Sequence, residues 1–413
     1  MAALLSGGFA YLFERFPSFT QTFCFREVLE MRRQGVECPI WSIRNPVGEP
    51  RQDFPPELAG LATYLPESFE PQLESDVGFR RKARKAIGEL CELWGGEGEK
   101  RRIYEALWLL PELRRLGVSH VHAHFAGTAA RTAFWLKKLG GIHYSFTAHA
   151  NDIFCDEPPA RLGMLMREAE FVVTVSDFSV RFLAAQFPEC AGKIHRVYNG
   201  IHPDRFRPSV PDTPRPLILA VGRYIEKKGF ADLITACRKL DGRAFECVIV
   251  GEGALEGQLR ALAAGDSRIA ITGPKSEEEI VGLMARASVF ALPCVEEGDG
   301  AKDNLPTVIM EAMAAAVPVI STPIAGVPEM VTDGVTGWLV PPRDPAALAA
   351  RLAECLENPA RAHEMGAAGR RACEEKFATA RTTAELRGLL ERHGAFRLRK
   401  KGWLDALLSG LGD

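Results

Sequence analysis

Strand-like and helix-like segments alternate along most of this chain, and the alternation stops and restarts once. Short apolar runs, each closing on Gly, Pro or a small polar residue, are followed by longer stretches of helical period. This pattern commits the chain to parallel sheets, because two parallel strands need a crossover long enough to hold a helix. The first series places strands at 9–13, 36–43, 118–125, 143–149 and 171–176, with an amphipathic helix over 22–34 that Gly35 ends. The second places strands at 217–222, 247–251, 268–273, 288–293 and 317–322, and reads as helix from about 344 to 388. Between them stands HPDRFRPSVPDTPRP, residues 202–216, whose prolines suit neither a helix interior nor a central strand. The chain of 413 residues is too long for one ordinary core. The expected division is one domain over 1–208, a second over 209–385, and a terminal helix and tail over 386–413.

Composition narrows the function by exclusion. A formal net charge of −2 supplies no basic field, so no nucleic-acid partner is expected. Ten cysteines are scattered without a CxxC pair or a Cys/His cluster at ligand spacing, which reads as free thiols in a reducing cytosol and no metal site. No apolar run reaches the roughly 18 residues of a membrane span, and the N-terminus lacks a signal-peptide design. A cytoplasmic location follows as the expectation. Two stretches are locally basic, residues 80–85 and the tail 397–408, where Arg and Lys stand beside Trp403, Leu404, Leu407 and Leu408. The tail has the recipe of an interfacial helix on anionic lipid, which would make the protein peripheral to the inner membrane face. The preferred reading is the plainer one, a solvated helix face and a C-terminal helix packed on the body.

The segment AKDNLPTVIMEAMAAAVPVISTP, residues 301–323, carries two carboxylates, Asp303 and Glu311, eight residues apart. Pro306 is expected in the first turn of a helix, which puts Asp303 in the loop ahead of it and Glu311 one to two turns inside. Both could line one groove. A helix N-terminus offers unpaired N–H groups to a phosphate, and carboxylates accept hydrogen bonds from sugar hydroxyls. Taken alone, the pair reads first as ordinary capping and solvated acids. Arg223 and Lys228 follow Gly222 at the end of the first strand of the second series. A guanidinium fork and a mobile ammonium suit the two phosphates of a diphosphate, and ligands of open α/β sheets bind beyond the carboxyl ends of strands.

Taken in order along the chain, these pieces resemble the retaining group 1 glycosyltransferases of GT-B fold, with D-x7-E where the commonest form of their acid pair is E-x7-E. Gly222, Arg223 and Tyr224 with Lys228, Gly229 and Phe230 look like the family's diphosphate segment. VGEGAL (250–255), FALP (290–293) and GVPEMVTDGVTGWLVPP (326–342) continue the resemblance. HAHF (122–125), TAHAND (147–152), VSDFS (175–179) and VYNGIHPDRF (197–206) match the family's acceptor-side half. The resemblance runs from Phe9 to about Phe377. It implies an α/β architecture of two Rossmann-like doubly wound domains facing across a cleft, acceptor in the first and nucleotide-sugar in the second. The family's last helix crosses back to the first domain.

The resemblance also implies roles. Glu311 would accept from the ribose hydroxyls and Asp303 would hold hydroxyls of the donor sugar. The loop through Asn304, Leu305, Pro306 and Thr307 would present its available backbone N–H groups to the donor's sugar and phosphate, with Gly222, Arg223 and Lys228 at the diphosphate. His149 would stand on the acceptor-facing side of the donor phosphate and sugar, with Asp152 orienting it or touching acceptor hydroxyls. The loop RFPSFTQTF (15–23) is similar to the family's F-P-x-x-S-E-T-F, with Thr20 and Gln21 in place of Ser and Glu ahead of Thr22, and without a glycine-rich turn. His122 and His124 are expected to be structural, except that His124 and Phe125 would wall the acceptor pocket. The implied activity is metal-independent transfer from a nucleotide-diphosphate sugar, as co-substrate and without a cofactor. The acceptor would be a saccharide or lipid-linked glycan of exopolysaccharide, capsule or surface-glycan synthesis.

Two other readings compete. GEGALEG (251–257) imitates a dinucleotide fingerprint, although the following strand ends in Thr-Gly-Pro where an acidic residue would be wanted. A catalytically weakened binding subunit of the same shape would tolerate the Asp and Gln replacements, but it would not need Arg223, Lys228 and Glu311 together.

Overall fold

The computed structural model describes residues 5–6, 8–18, 21–46, 54, 56–58, 60–90, 99–210 and 215–398. Thr20 and the basic tail beyond 398 lie outside the described residues.

The strands in chain order are β1 (Leu5–Ser6), β2 (Gly8–Arg15), β3 (Ile40–Arg44), β4 (Ala62–Tyr64), β5 (Val118–His124), β6 (His143–Ala148), β7 (Val172–Thr174) and β8 (Ile194–Arg196). Then follow β9 (Leu217–Val221), β10 (Glu246–Val250), β11 (Ile269–Thr272), β12 (Val289–Leu292), β13 (Val319–Ser321), β14 (Gly337–Leu339) and β15 (Arg397–Leu398). Seven form one parallel sheet in the order β4-β3-β2-β5-β6-β7-β8, and six form a second in the order β11-β10-β9-β12-β13-β14. Phe9 to Phe13 of β2 are all buried, the continuous apolar run of a strand covered on both faces by helices. Strand order reverses between β2 and β5 in the first sheet and between β9 and β12 in the second. At such a reversal the connections leave toward opposite faces and open a crevice at the carboxyl ends.

The return crossing begins at Thr379, inside the segment that the sequence assigns to the second domain. Ile201 pairs with Phe377 and Thr379 through backbone hydrogen bonds of 2.9 and 2.8 Å. The chains run so close there that a Cβ on Gly200 would lie 2.6 Å from the Thr379 Cα. Helix Thr379–Arg392 then packs Leu386, Leu389 and Leu390 into one cluster with Phe9, Phe25 and Val28 of the first domain. After it β15 pairs antiparallel with β1.

The sequence expectation overlooked β4, β8 and β14, each only three residues long. Strands of that length at or near a sheet edge show no readable period. The helical stretch expected over 344–388 is divided into three helices, Pro345–Glu357, Pro359–Lys376 and Thr379–Arg392. Asn358 breaks the first because the residue before a proline is disfavoured in the helical region.

Candidate active site

The carboxyl ends of both sheets face one cleft of about 1180 Å3. On its second-domain side, β9 runs into a tight turn, Glu226–Lys228, that Gly229 ends at φ 68°. Gly229 is required twice over, by that left-handed conformation and because a Cβ would collide with the Pro293 carbonyl beyond β12. This contact brings the turn over the loop that carries Asp303. Lys228 Nζ lies 2.5 Å from Asp303 Oδ2, and Lys227 Nζ lies 3.4 Å from Oδ1. Burial opposes the charge on Asp303, but Lys228 and Lys227 outweigh it and hold the carboxyl below the ordinary range. The carboxylate expected to face a sugar is thus engaged by Lys228, expected at the diphosphate, and by its neighbour Lys227.

Lys227 was missed at the sequence level, although the doubled lysine ahead of Gly229 was a visible signal. It is only 4% exposed, and its ammonium also donates to Asn151 Oδ1 at 3.0 Å in the first domain. Gly222 and Arg223 line the cleft, and Arg223 is exposed, with no side-chain partner among the described residues.

Helix Thr307–Ala314 starts one residue later than expected, with Pro306 as its N-cap and no side chain capping it. Its first N–H groups therefore stay available at the cleft, where Leu305, Pro306 and Thr307 also lie. Asn304 lines the cleft too, and its side chain is engaged: its Nδ2 donates to the His149 carbonyl at 2.7 Å, and its Oδ1 accepts from Ser176 Oγ at 2.6 Å. Its side chain ties the two domains together. Glu311 is 9% exposed, and burial pushes its carboxyl up against the opposing pull of Arg26.

The first-domain side is built without paired charge at its centre. In β5 the period of two turns His120, His122 and His124 toward one face. His120 Nε2 and His122 Nδ1 meet Ser145 Oγ at 2.8 Å, and His122 Nε2 meets Thr147 Oγ1 at 2.9 Å. Burial lowers the pKa of His122 and His149 far below the ordinary imidazole value, and that of His120 to about 3. His149 lines the cleft between the rings of Phe125 and Phe23, with centroids 4.4 and 4.6 Å away. His124 does not wall the pocket as expected. It lies behind His149, because the chain turns at Phe125 with φ 69° and gives that ring the cleft position. His124 Nδ1 is 3.2 Å from His149 Nε2, and its Nε2 is 3.1 Å from the Glu27 carboxylate. Glu27 was not singled out in the sequence.

Asp152 accepts from the backbone N–H groups of Ala126, His149 and Ala150 at 2.7 to 3.1 Å, so it shapes the loop around His149 from the cleft wall. Gln21 and Thr22 line the cleft at the start of helix Thr22–Arg33. Cys24, His124 and His149 bring three ligand atoms within 4.8 Å of one another, a cluster that sequence spacing did not show. The separations of 3.6 Å from Cys24 Sγ to His124 Nδ1 and 3.2 Å between the imidazoles are hydrogen-bond lengths.

Gly251 and Gly253 have a packing role. A Cβ on Gly251 would strike the Gly222 carbonyl, and one on Gly253 would lie 2.7 Å from the Tyr224 carbonyl oxygen. They let the chain after β10 lie against the chain after β9.

Two parallel sheets facing a common cleft, with the chain end crossing back, define a GT-B protein. Sucrose-phosphate synthase of Thermosynechococcus elongatus has the same fold, with a TM-score of 0.70 at 19% identity over 94% of this chain and 99% of that one. Residues 203–372 match the glycosyl transferases group 1 family and residues 22–205 match Glycosyltransferase Family 4. The amylovoran biosynthesis glycosyltransferase AmsK of Erwinia amylovora is 34% identical over 284 residues, 66% of this chain and 69% of that protein. The GDP-mannose-dependent alpha-(1-6)-phosphatidylinositol monomannoside mannosyltransferase of Mycobacterium tuberculosis is 30% identical over 357 residues, 77% of this chain and 91% of that protein. The chain belongs to the group 1 glycosyltransferases.

Proposed function

We propose that the protein is a retaining glycosyltransferase that moves a sugar from a nucleotide-diphosphate donor to a saccharide or lipid-linked acceptor in surface-polysaccharide synthesis. The observation that carries this reading is the placement of Lys227, Lys228 and the uncapped helix N-terminus at Thr307 around one end of the cleft, opposite His149. Fixed cations and backbone donors stabilise the charge that a departing diphosphate develops. The relatives add a substrate class: one serves amylovoran biosynthesis and another depends on GDP-mannose.

In the proposed reaction the bond from C1 to the diphosphate oxygen breaks, and its electron pair leaves with the diphosphate. The acceptor hydroxyl attacks C1 on the same face and gives its proton to that phosphate oxygen. Lys228, Lys227 and Arg223 supply the compensating charge, so no metal is required. Glu311 takes the ribose hydroxyls, and Asp303 aims the two lysines and faces the sugar. A lipid-linked acceptor would be met at the inner face of a membrane; among the described residues no helix is long and apolar enough to cross one.

A thermal-shift screen of UDP-, GDP- and ADP-sugars tests the donor class, since a ligand of the native state raises Tm. Proton NMR of the first-formed product tests the stereochemistry. Inverted anomeric configuration would refute retention, and no shift with any nucleotide-sugar would refute the donor site.

A further inference from the structure

The carboxylate proposed for the ribose lies in the second domain, but the cation against it comes from the first. Arg26, on helix Thr22–Arg33, reaches across the cleft, and its Nη2 lies 3.2 Å from Glu311 Oε1 and 3.2 Å from Glu277 Oε1. Arg26 is 4% exposed, and its Nη1 is buried with no hydrogen-bond partner among the described residues. One nitrogen thus serves two carboxylates at distances longer than an ideal charge-assisted bond, while the other is idle. A guanidinium buried with an unused donor costs stability. The arrangement is explained if the pair serves the ligand.

We propose that Arg26 is a positioning residue of the nucleotide site: it braces Glu311 from the opposite domain, so that the ribose is gripped only when the two halves of the cleft are closed together. The inference rests on the assignment of Glu311 to the ribose. Oε1 of Glu311 faces Arg26, which leaves Oε2 for a pair of hydroxyls. Arg26 also offsets the burial that works against the charged carboxylate. The other groups facing Glu311 are Glu277 on helix Glu277–Met284, Arg205 on the turn Pro203–Arg205, and Cys373 on helix Pro359–Lys376; His202 faces Arg26.

The test is calorimetric titration with UDP, GDP and ADP across pH, using wild type, Arg26→Met, Arg26→Lys, Glu311→Gln and the double variant Arg26→Met/Glu311→Gln, each checked for an intact melting transition. Arg26→Met should weaken the preferred nucleotide about tenfold or more. Its remaining affinity should fall on acidification at a higher pH than in wild type, because Glu311 has lost the charge that opposed its protonation. Arg26→Lys should recover most of the affinity. The double variant should bind no more weakly than Glu311→Gln alone.

Wild-type affinity in Arg26→Met, full additivity in the double variant, or an unmoved acid limb would each overturn the proposal. Tighter binding in Arg26→Met would overturn it too, since Arg26 would then compete with the ribose. If Arg26→Met fails to fold, Arg26→Gln, which also removes the charge, carries the same pH test. Wild-type binding by Glu311→Gln would instead strike the ribose assignment itself, which separates the two failures.

Discussion

The two walls of the cleft solve the same problem with opposite electrostatics. The second-domain wall places Lys227 and Lys228 against Asp303, a compensated set of charges at the end of β9 and ahead of a helix N-terminus. The first-domain wall places neutral imidazoles against aromatic rings, and its buried carboxylate, Asp152, is satisfied by backbone N–H groups. On the proposed function the second-domain wall takes the diphosphate, and charge held there before the ligand arrives avoids reorganisation at the moment of reaction. A wall meant for hydroxyls needs shape and hydrogen-bonding atoms. The ties between the walls, Asn304 to His149 and Lys227 to Asn151, fix their separation.

The largest effect should come from the charged wall. Lys228→Ala is expected to lower turnover about 10² to 10³ with the fold intact, as loss of one preorganised donor to developing charge does elsewhere. Single-turnover transfer and a melting curve measure it; near-wild-type turnover would show that the charged wall does not hold the diphosphate. Arg223→Ala should fall in the same direction.

Next is Asp303→Asn, which should depress transfer about tenfold or more while nucleoside-diphosphate affinity is kept or improved, because a carboxylate that shares the lysines with the ligand has been neutralised. If affinity collapsed and turnover per bound donor did not, the roles of Asp303 and Glu311 would be reversed.

A smaller effect separates the walls by pH. His120, His122 and His149 are held neutral by burial, so below about pH 6.5 the unfolded chain binds protons that the native state does not. Stability should therefore fall with pH from there, before the carboxylates titrate. Asp303 acts later: its pKa is depressed, so its contribution is present above the ordinary aspartate value and is lost as pH falls through the lower native one. Melting temperature against pH should slope less in His122→Gln than in wild type over the histidine window, and equal slopes would deny the neutral wall its part. The smallest expected change is under chelation. Transfer should persist in EDTA, and a rate below about a tenth, restored by Mg2+ or Mn2+, would mean that the lysines do not suffice.

Much of this could be read from the residues. The strands from 9–13 through 317–322 are all present, because a parallel strand covered on both faces is a short continuous apolar run bounded by turn residues. Gly222, Arg223, Lys228, Asp303 and Glu311 are local to strand ends and one helix start, so their common destination followed from the rule that such ends line the crevice. Harder were the residues whose meaning depends on a distant partner. Arg26 and Glu27 look like any charges on an amphipathic helix until Glu311 and His124 are set beside them.

The amino-acid sequence by itself determined the α/β class, the two sheets and the residues at their carboxyl ends, since these rest on local periodicity and turn chemistry. Tertiary structure alone decided that His124 stands behind His149, that Asn304 binds the opposite domain, that Asp303 is held by two lysines, and that Arg26 meets Glu311 across the cleft. Each of these is a contact between groups far apart in the chain. Hydrogen bonds and ion pairs act over a few ångströms, and only the packing of one domain against the other sets those distances.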